Sequence, residues 1–316
     1  MGKDKKDTQK KEKRKLSVSR RDFLVTGGAV IASGALSSYG FAKGTEKAIK
    51  TEANTANEDN FMPTTERRNK MNTQSLDLSV FKEFNFEKPP IGVKFLLDKP
   101  EGIERLDKKV PYCGMVCEAQ NRNTPFYVDI DNHACPLGTF SLGYDLPKVI
   151  EGGYLGPELK AFKEAYANRR IIDILPRFGK DTVKYIAFSP MDKLSFTPEL
   201  FIIMTDNTSQ TEILLRAFSY TTGKIITSKM TIVQGCSWIY AYPYLTGEVN
   251  YITTGLGFGM KAQKVFPEGR HIITIPYDWL PVITLNLQEM TWVPPSYTEE
   301  GPEHDRKLFQ KFGITM

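Results

Sequence analysis

Apolar residues recur along the chain in short blocks, and the period within each block separates strands from helices. Residues 91–97 (IGVKFLL) form an apolar, partly β-branched run closed by Asp98-Lys99-Pro100, which predicts a strand with Lys94 facing solvent. Residues 126–130, 183–188 and 271–276 predict further strands. Residues 200–204 (LFIIM) are apolar at every position, the pattern of a strand covered on both faces. Helical spacing replaces this pattern elsewhere. Leu78, Phe81 and Phe84 mark a short amphipathic helix over residues 78–86, stopped by Pro89-Pro90. Residues 112–121 and 137–142 suit two more short helices, with Pro136 in the first turn of the second and Gly143 closing it. Leu159, Phe162, Ala165 and Tyr166 predict a charged surface helix over residues 157–172. Asn207 or Thr208 caps a helix that buries Ile213, Leu214, Ala217 and Phe218 and ends at Gly223. Asp278 is placed to cap a final helix reaching residues 287–290, with Pro281 in its first turn. The alternating Tyr240, Tyr242 and Tyr244 read as a half-buried extended segment. Strands separated irregularly by helices predict one α+β domain, a mixed sheet with flanking helices, over residues 76–290.

The ends of the chain carry a different composition. Residues 43–75 are rich in Thr, Asn, Glu and Lys and are expected to be a disordered linker, since they cannot bury enough surface to offset chain entropy. Residues 291–316 are Pro-rich and charged and read as a loosely held tail, with His304 a solvated surface residue. Residues 1–22 hold ten Lys/Arg against four Asp/Glu, a net of +6, whereas the whole chain is +5. The remainder is therefore −1, and nothing there argues for a nucleic-acid surface. Ser19-Arg20-Arg21-Asp22-Phe23-Leu24 leads into an uncharged run over residues 23–42 that ends Gly40-Phe41-Ala42. That is a secretory signal of the twin-arginine kind, residues 1–42, with cleavage expected after Ala42. Retention as a membrane anchor is the alternative, disfavoured by the glycines and serines that dilute the run. Proteins with such signals cross the membrane folded, often because a cofactor was inserted first. The translocation machinery is the partner this implies, and a periplasmic or extracytoplasmic location follows.

The candidate chemistry lies in four cysteines. Cys113, Cys117 and Cys135 fall within residues 111–143 with His133, and Cys236 follows in the turn QGCSW. Cys113 and Cys117, at i and i+4 on one helix, would face the same way and could share a metal. Cys135, just before Pro136, would have its thiolate favoured by the helix dipole. His133 reads first as a satisfied turn histidine and second as a ligand. Buried cysteines without any ligand are the plain alternative. In an oxidising compartment, disulfides in three possible pairings are another. The glycines of GLGFGM (residues 255–260) do not make a dinucleotide fingerprint, lacking a third glycine in register and a βαβ setting.

These blocks together resemble the domain of unknown function 169 family. The resemblance is carried by PPIGVKF (residues 89–95), Tyr112-Cys113, NHACP (residues 132–136) with Leu142-Gly143, ELFII (residues 199–203), Gly235-Cys236-Ser237 with Pro243, and Ile275-Pro276. The chain departs from the pattern near Gly257, where the family's basic residue is displaced to Lys261. The resemblance implies no settled activity. Its cysteine positions match Cys113, Cys135 and Cys236 and leave Cys117 open. With three cysteines alone, a cluster with one open position, or an oxygen or nitrogen fourth ligand, is conceivable.

Two functions of different class follow. Cys113, Cys117, Cys135 and Cys236, with His133 as a further donor, would hold an iron–sulfur cluster, or zinc in its place, and a redox role would follow. The intervals between the cysteines fit neither a ferredoxin nor a zinc-ribbon pattern. The alternative is a cofactor-free extracytoplasmic binding protein with a pocket lined by Trp238, Tyr240, Tyr242 and Tyr244, its cysteines structural or paired. A hydrolase is the weaker third, since no G-x-S-x-G or H-E-x-x-H occurs and there are three histidines.

Overall fold

Leu200–Thr205 is the strand on which the domain turns. Its side chains alternate between two cores: Leu200, Ile202 and Met204 join one, Phe201 and Ile203 the other. In this computed structural model the described residues are 76–233, 235–254, 264–267, 269–290 and 301–315. They lie in one compact unit, Phe61–Met316. The strands are β1 (Ile91–Leu96), β2 (Glu104–Arg105), β3 (Phe126–Val128), β4 (Tyr185–Pro190), β5 (Leu200–Thr205), β6 (Asn250–Thr253) and β7 (His271–Pro276). They form one seven-stranded sheet in the order β2-β3-β4-β1-β5-β7-β6. Every pairing is antiparallel except β2 with β3, so the sheet is mixed.

The helices are α1 (Met115–Arg122), α2 (Pro136–Ser141), α3 (Lys148–Glu151), α4 (Leu155–Glu158), α5 (Ala165–Asp173), α6 (Thr208–Thr222), α7 (Tyr242–Thr246), α8 (Leu280–Glu289) and α9 (Gly301–Lys311). This is the α+β architecture read from the sequence. One face of the sheet is covered by α6, α8 and a 3-10 helix, Leu78–Phe84, through Phe81, Leu214, Phe218, Ile283 and Leu287. The other is covered by the chain that carries the cysteines. Both faces being covered explains why β5 is buried along its whole length. No described helix is long and apolar enough to cross a membrane. The proposed signal and linker, residues 1–75, and the glycine-rich stretch with Lys261 lie outside the described residues.

Several expectations need correction. The charged helix over residues 157–172 is broken: Lys160 takes a left-handed φ of 54°, and the chain folds back from α4 into α5. Tertiary packing outweighs the apolar spacing here. Asn168 of α5 packs over Gly156, and its Nδ2 donates to the Gly153 carbonyl at 3.2 Å. Leu159 and Tyr166 are left exposed. The tyrosine segment is helical, not extended: Ser237–Ala241 is a π-helical turn that runs into α7. Asp278 does not cap α8, because it sits inside a 3-10 turn, Tyr277–Trp279, and Trp279 holds the cap position. Part of the C-terminal tail is helical as α9, with Phe312 beyond it exposed.

Candidate functional site

Cys113 and Cys236 lie in the first core, and Cys135 immediately precedes α2, which packs against both of their segments. Cys113 lies in a 3-10 turn, Tyr112–Gly114, that starts after Pro111 and runs into α1. Cys135 is the residue before α2, its carbonyl accepting from the backbone of Gly138 at 3.0 Å and Thr139 at 3.2 Å. Cys236 leads the π-helical turn. All four cysteines are free thiols, with Cys113 and Cys236 buried and Cys117 and Cys135 half-buried.

The supports of these three segments interlock. A Cβ at Gly138 would stand 2.6 Å from the Cβ of Tyr112, so α2 packs directly on the turn that carries Cys113. At the far end of α2, Ser141 Oγ lies 2.8 Å from Ser237 Oγ and 3.6 Å from Cys236 Sγ. The Cys236 segment is tied to the sheet by Asn250 of β6, whose Nδ2 donates to the Trp238 carbonyl at 2.9 Å. The loop before Cys135 is held by Asn132. Its Nδ2 donates to the carbonyls of Leu106 (2.8 Å) and Lys108 (3.1 Å), and its Oδ1 accepts from the Asp129 amide at 3.0 Å.

The thiols share one electrostatic neighbourhood. Burial pushes the Cys113 thiol well above its ordinary range, and the charges of Cys236 and then Cys135 push the same way. Burial raises Cys236 to about 12; the Ser141 hydroxyl opposes this and Cys135 reinforces it. Cys117 is raised to about 11, again mainly by burial, with Arg270 acting against it. It faces a separate cleft of about 430 Å³, lined among others by Gln120, Met204, Lys264 and Arg270. Arg270 is itself paired with Glu87 and Asp206. Cys113 and Cys117 are thus one turn apart with partly different surroundings, and Cys117 is the weakest of the electrostatic neighbours acting on the Cys113 thiol. Among the described residues, no three His, Cys, Asp or Glu side chains are grouped for a metal ion.

Sequence reasoning missed Tyr112 as part of this region. It is fully buried, stacked on Tyr240 with centroids 4.3 Å apart, and meets the His133 ring edge-on at 5.1 Å. The Tyr240 hydroxyl donates to the Tyr112 carbonyl at 3.3 Å. Among the described residues, the Tyr112 hydroxyl and both His133 ring nitrogens are buried without a hydrogen-bond partner. Burial lowers His133 to about 4, partly offset by Asp129, so its ring is neutral at physiological pH. The signal for Tyr112 was its place directly before Cys113. The aromatic residues proposed to line a pocket are dispersed: Trp238 and Tyr240 are buried in the core, whereas Tyr244 reaches a surface cleft beside Lys94 and Tyr277.

Residues 79–285 match the uncharacterised ArCR family, domain of unknown function 169. The chain belongs to that family. No curated protein and no solved structure matches it. The domain of unknown function 169 match takes in all seven strands and all four cysteines, so the candidate site lies wholly within the family domain.

Proposed function

We propose that Cys113, Cys135 and Cys236 hold a thiolate-bound cofactor, an iron–sulfur cluster in preference to zinc, in a protein exported folded by the twin-arginine route. The observation that supports this reading is that α2, which follows Cys135, packs on the Cys113 turn through Gly138 and reaches Cys236 through Ser141, whose Oγ lies 3.6 Å from the Cys236 sulfur. Deprotonation by a bound cation reverses the penalty that burial puts on thiolates, as metal ligation does in general. The donor set is soft, which suits iron–sulfur clusters, zinc or copper(I). A single zinc needs its sulfurs at about 2.3 Å from one ion and hence within about 4 Å of each other. Among the described residues no such compact group is present, and the preference for a cluster over zinc rests on the twin-arginine signal.

In this reading, Cys113, Cys135 and Cys236 are ligands, Ser141 steadies Cys236, and Cys117 is not required. The cofactor supplies one-electron chemistry when bound. The chain's own residues exclude water from it, through Tyr112, Tyr240 and Trp238, and fix the sulfurs relative to the sheet. His133 stands behind Tyr112 as a neutral imidazole. The segment Ser19-Arg20-Arg21-Asp22-Phe23-Leu24 supports delivery to the periplasm or another extracytoplasmic compartment after the cofactor is in place.

Anaerobic purification followed by visible absorption and iron, zinc and sulfide assays tests the proposal. A brown protein containing iron and acid-labile sulfide, with the colour lost in Cys113→Ser, Cys135→Ser and Cys236→Ser but kept in Cys117→Ser, is the expected result. A colourless, metal-free wild-type protein contradicts it.

A further inference from the structure

We propose that a cleft at one end of the sheet binds a free basic amino acid, with Lys94 on its carboxylate, Glu199 and Asp278 on its two cationic groups, and Tyr244 and Tyr277 beside them. The site is separate from the thiolate reading, and no cysteine lines it.

The cleft exists because β5 starts late. β5 lies between β1 and β7, and β1 pairs with it only from Ile91 opposite Ile202 to Val93 opposite Leu200. Beyond Val93, β1 continues to Leu96 without β5 beside it. Glu199 closes the ladder: its amide donates to the Val93 carbonyl at 2.8 Å, and its carbonyl accepts from the Tyr277 amide at 2.9 Å. Pro198 comes before it and has no N–H with which to extend the pairing. The loop before β5 folds over β1 instead, so closely that a Cβ on Gly92 would lie 2.6 Å from Leu194 Cδ2 and 3.1 Å from Pro198 Cβ. Lys94 is two residues further along β1, on the same face as Gly92, and lines the cleft with Pro198. The space is about 440 Å³, within the range of small-molecule sites.

The charges in this cleft are set out for a ligand and not for one another. Lys94 is half-buried, yet among the described residues it forms no ion pair with Glu199, Asp278 or any other carboxylate. Glu199 is oriented through Oε2, which accepts from the Phe95 amide at 2.7 Å, and its other oxygen has no partner among the described residues. One cation against two carboxylates leaves the lining net negative. A basic amino acid carries the complementary set, one carboxylate and two cationic groups. Tyrosine rings attract guanidinium and ammonium groups and suit the same ligand. The walls are already in place. The Tyr244 ring rests on Phe95 and Phe178, with centroids 4.8 and 5.0 Å away. Trp279 Nε1 donates to the Gly247 carbonyl at 2.7 Å, tying the end of α7 to the turn that carries Tyr277 and Asp278. A preformed lining limits the ordering cost of binding.

Calorimetric titration of the full-length protein with L-arginine and L-lysine at low ionic strength tests the site. L-arginine amide, Nα-acetyl-L-arginine and L-norleucine serve as probes that each lack one of the three charges. At least one of the two basic amino acids is expected to saturate a single site. Each probe is expected to bind at least about tenfold more weakly, the loss that follows from removing one charge-assisted hydrogen bond. Lys94→Met is expected to weaken the basic amino acid by a similar factor, while arginine amide, having no carboxylate, binds no more weakly than before. Asp278→Asn, at an exposed position where folding is not at stake, is expected to lessen the preference over norleucine. Failure of both basic amino acids to saturate the wild-type protein overturns the inference, as does binding that both variants leave unchanged. Metal-free protein is expected to bind as well, so failure of the thiolate reading leaves this one intact.

Discussion

Gly138 and Tyr112 stand so close that a methyl group on the first would lie 2.6 Å from the Cβ of the second. This contact sets the distance between the segment that carries Cys135 and the one that carries Cys113. The obstacle is the first side-chain carbon of a clamped tyrosine, not the free end of a flexible chain, so α2 itself would have to move. Gly138→Ala is therefore expected to cost about 1–3 kcal/mol in urea denaturation, the usual range for overpacking a filled core. Cofactor content should fall with it. An alanine variant as stable as wild type and still fully loaded would show that the close approach does not set the site.

Asn132 fixes the loop that leads into His133 and Cys135. Its side chain makes three hydrogen bonds to backbone groups, two of them to carbonyls 24 and 26 residues away in sequence. Asn132→Ala strands these backbone groups in a buried place. The expected loss is on the order of 2–4 kcal/mol, more than one ordinary hydrogen bond contributes. Thermal melting of the variant beside wild type checks it.

His133 should make the domain acid-sensitive. Its folded pKa of about 4 lies below the ordinary 6.5, so the unfolded chain binds a proton that the folded one refuses. Its contribution is fully present above 6.5 and declines as pH falls towards 4, by about 1.4 kcal/mol per pH unit. His133→Leu removes this term. Stability measured between pH 7 and 4 should fall less steeply in the variant, and parallel curves would refute the burial argument.

The thiols give the opposite slope at the alkaline end. Cys236 and Cys117 have folded values of about 12 and about 11 against an ordinary 9. Raised values mean that the folded state keeps protons the unfolded chain releases. Metal-free protein should therefore lose about 1.4 kcal/mol per pH unit per thiol above pH 9. Cys236→Ala should lessen that slope. If Cys236 ligates a cofactor as proposed, it would already be deprotonated in loaded protein, and the same part of the slope should be missing. Equal slopes with and without cofactor would argue against Cys236 as a ligand.

Much of the sheet was legible in the sequence because its signals are local. Five apolar residues in a row at 200–204 require cover on both faces, and β5 has it. Asn207 caps α6, accepting from Ser209 and Gln210, and Gly223 closes the helix with a φ of 60°. The two-residue β2 and the short β6 carry too little pattern to be read, and their existence depends on neighbours distant in sequence. The tyrosines at 240, 242 and 244 mimic the period of a strand. Their segment is helical because Trp238, Ile239, Tyr240 and Ala241 are buried on every side, so the core rather than a single face dictates it. The cysteines were legible as residues but not as partners. Spacing pairs Cys113 with Cys117, whereas in the fold α2 also brings the Cys135 and Cys236 segments against the Cys113 turn, and Cys117 lines the Arg270 cleft. Tyr112 was legible only as the residue before Cys113, since its lack of a hydrogen-bond partner among the described residues exists only once the core has closed around it.

X-ray absorption at the edge of whatever metal the anaerobic protein contains is the most direct measurement of the central claim. A first shell dominated by sulfur, with a metal–metal distance beyond it and loss of both in Cys236→Ser, is the predicted result. A shell of nitrogen and oxygen, or no bound metal at all, would contradict the account.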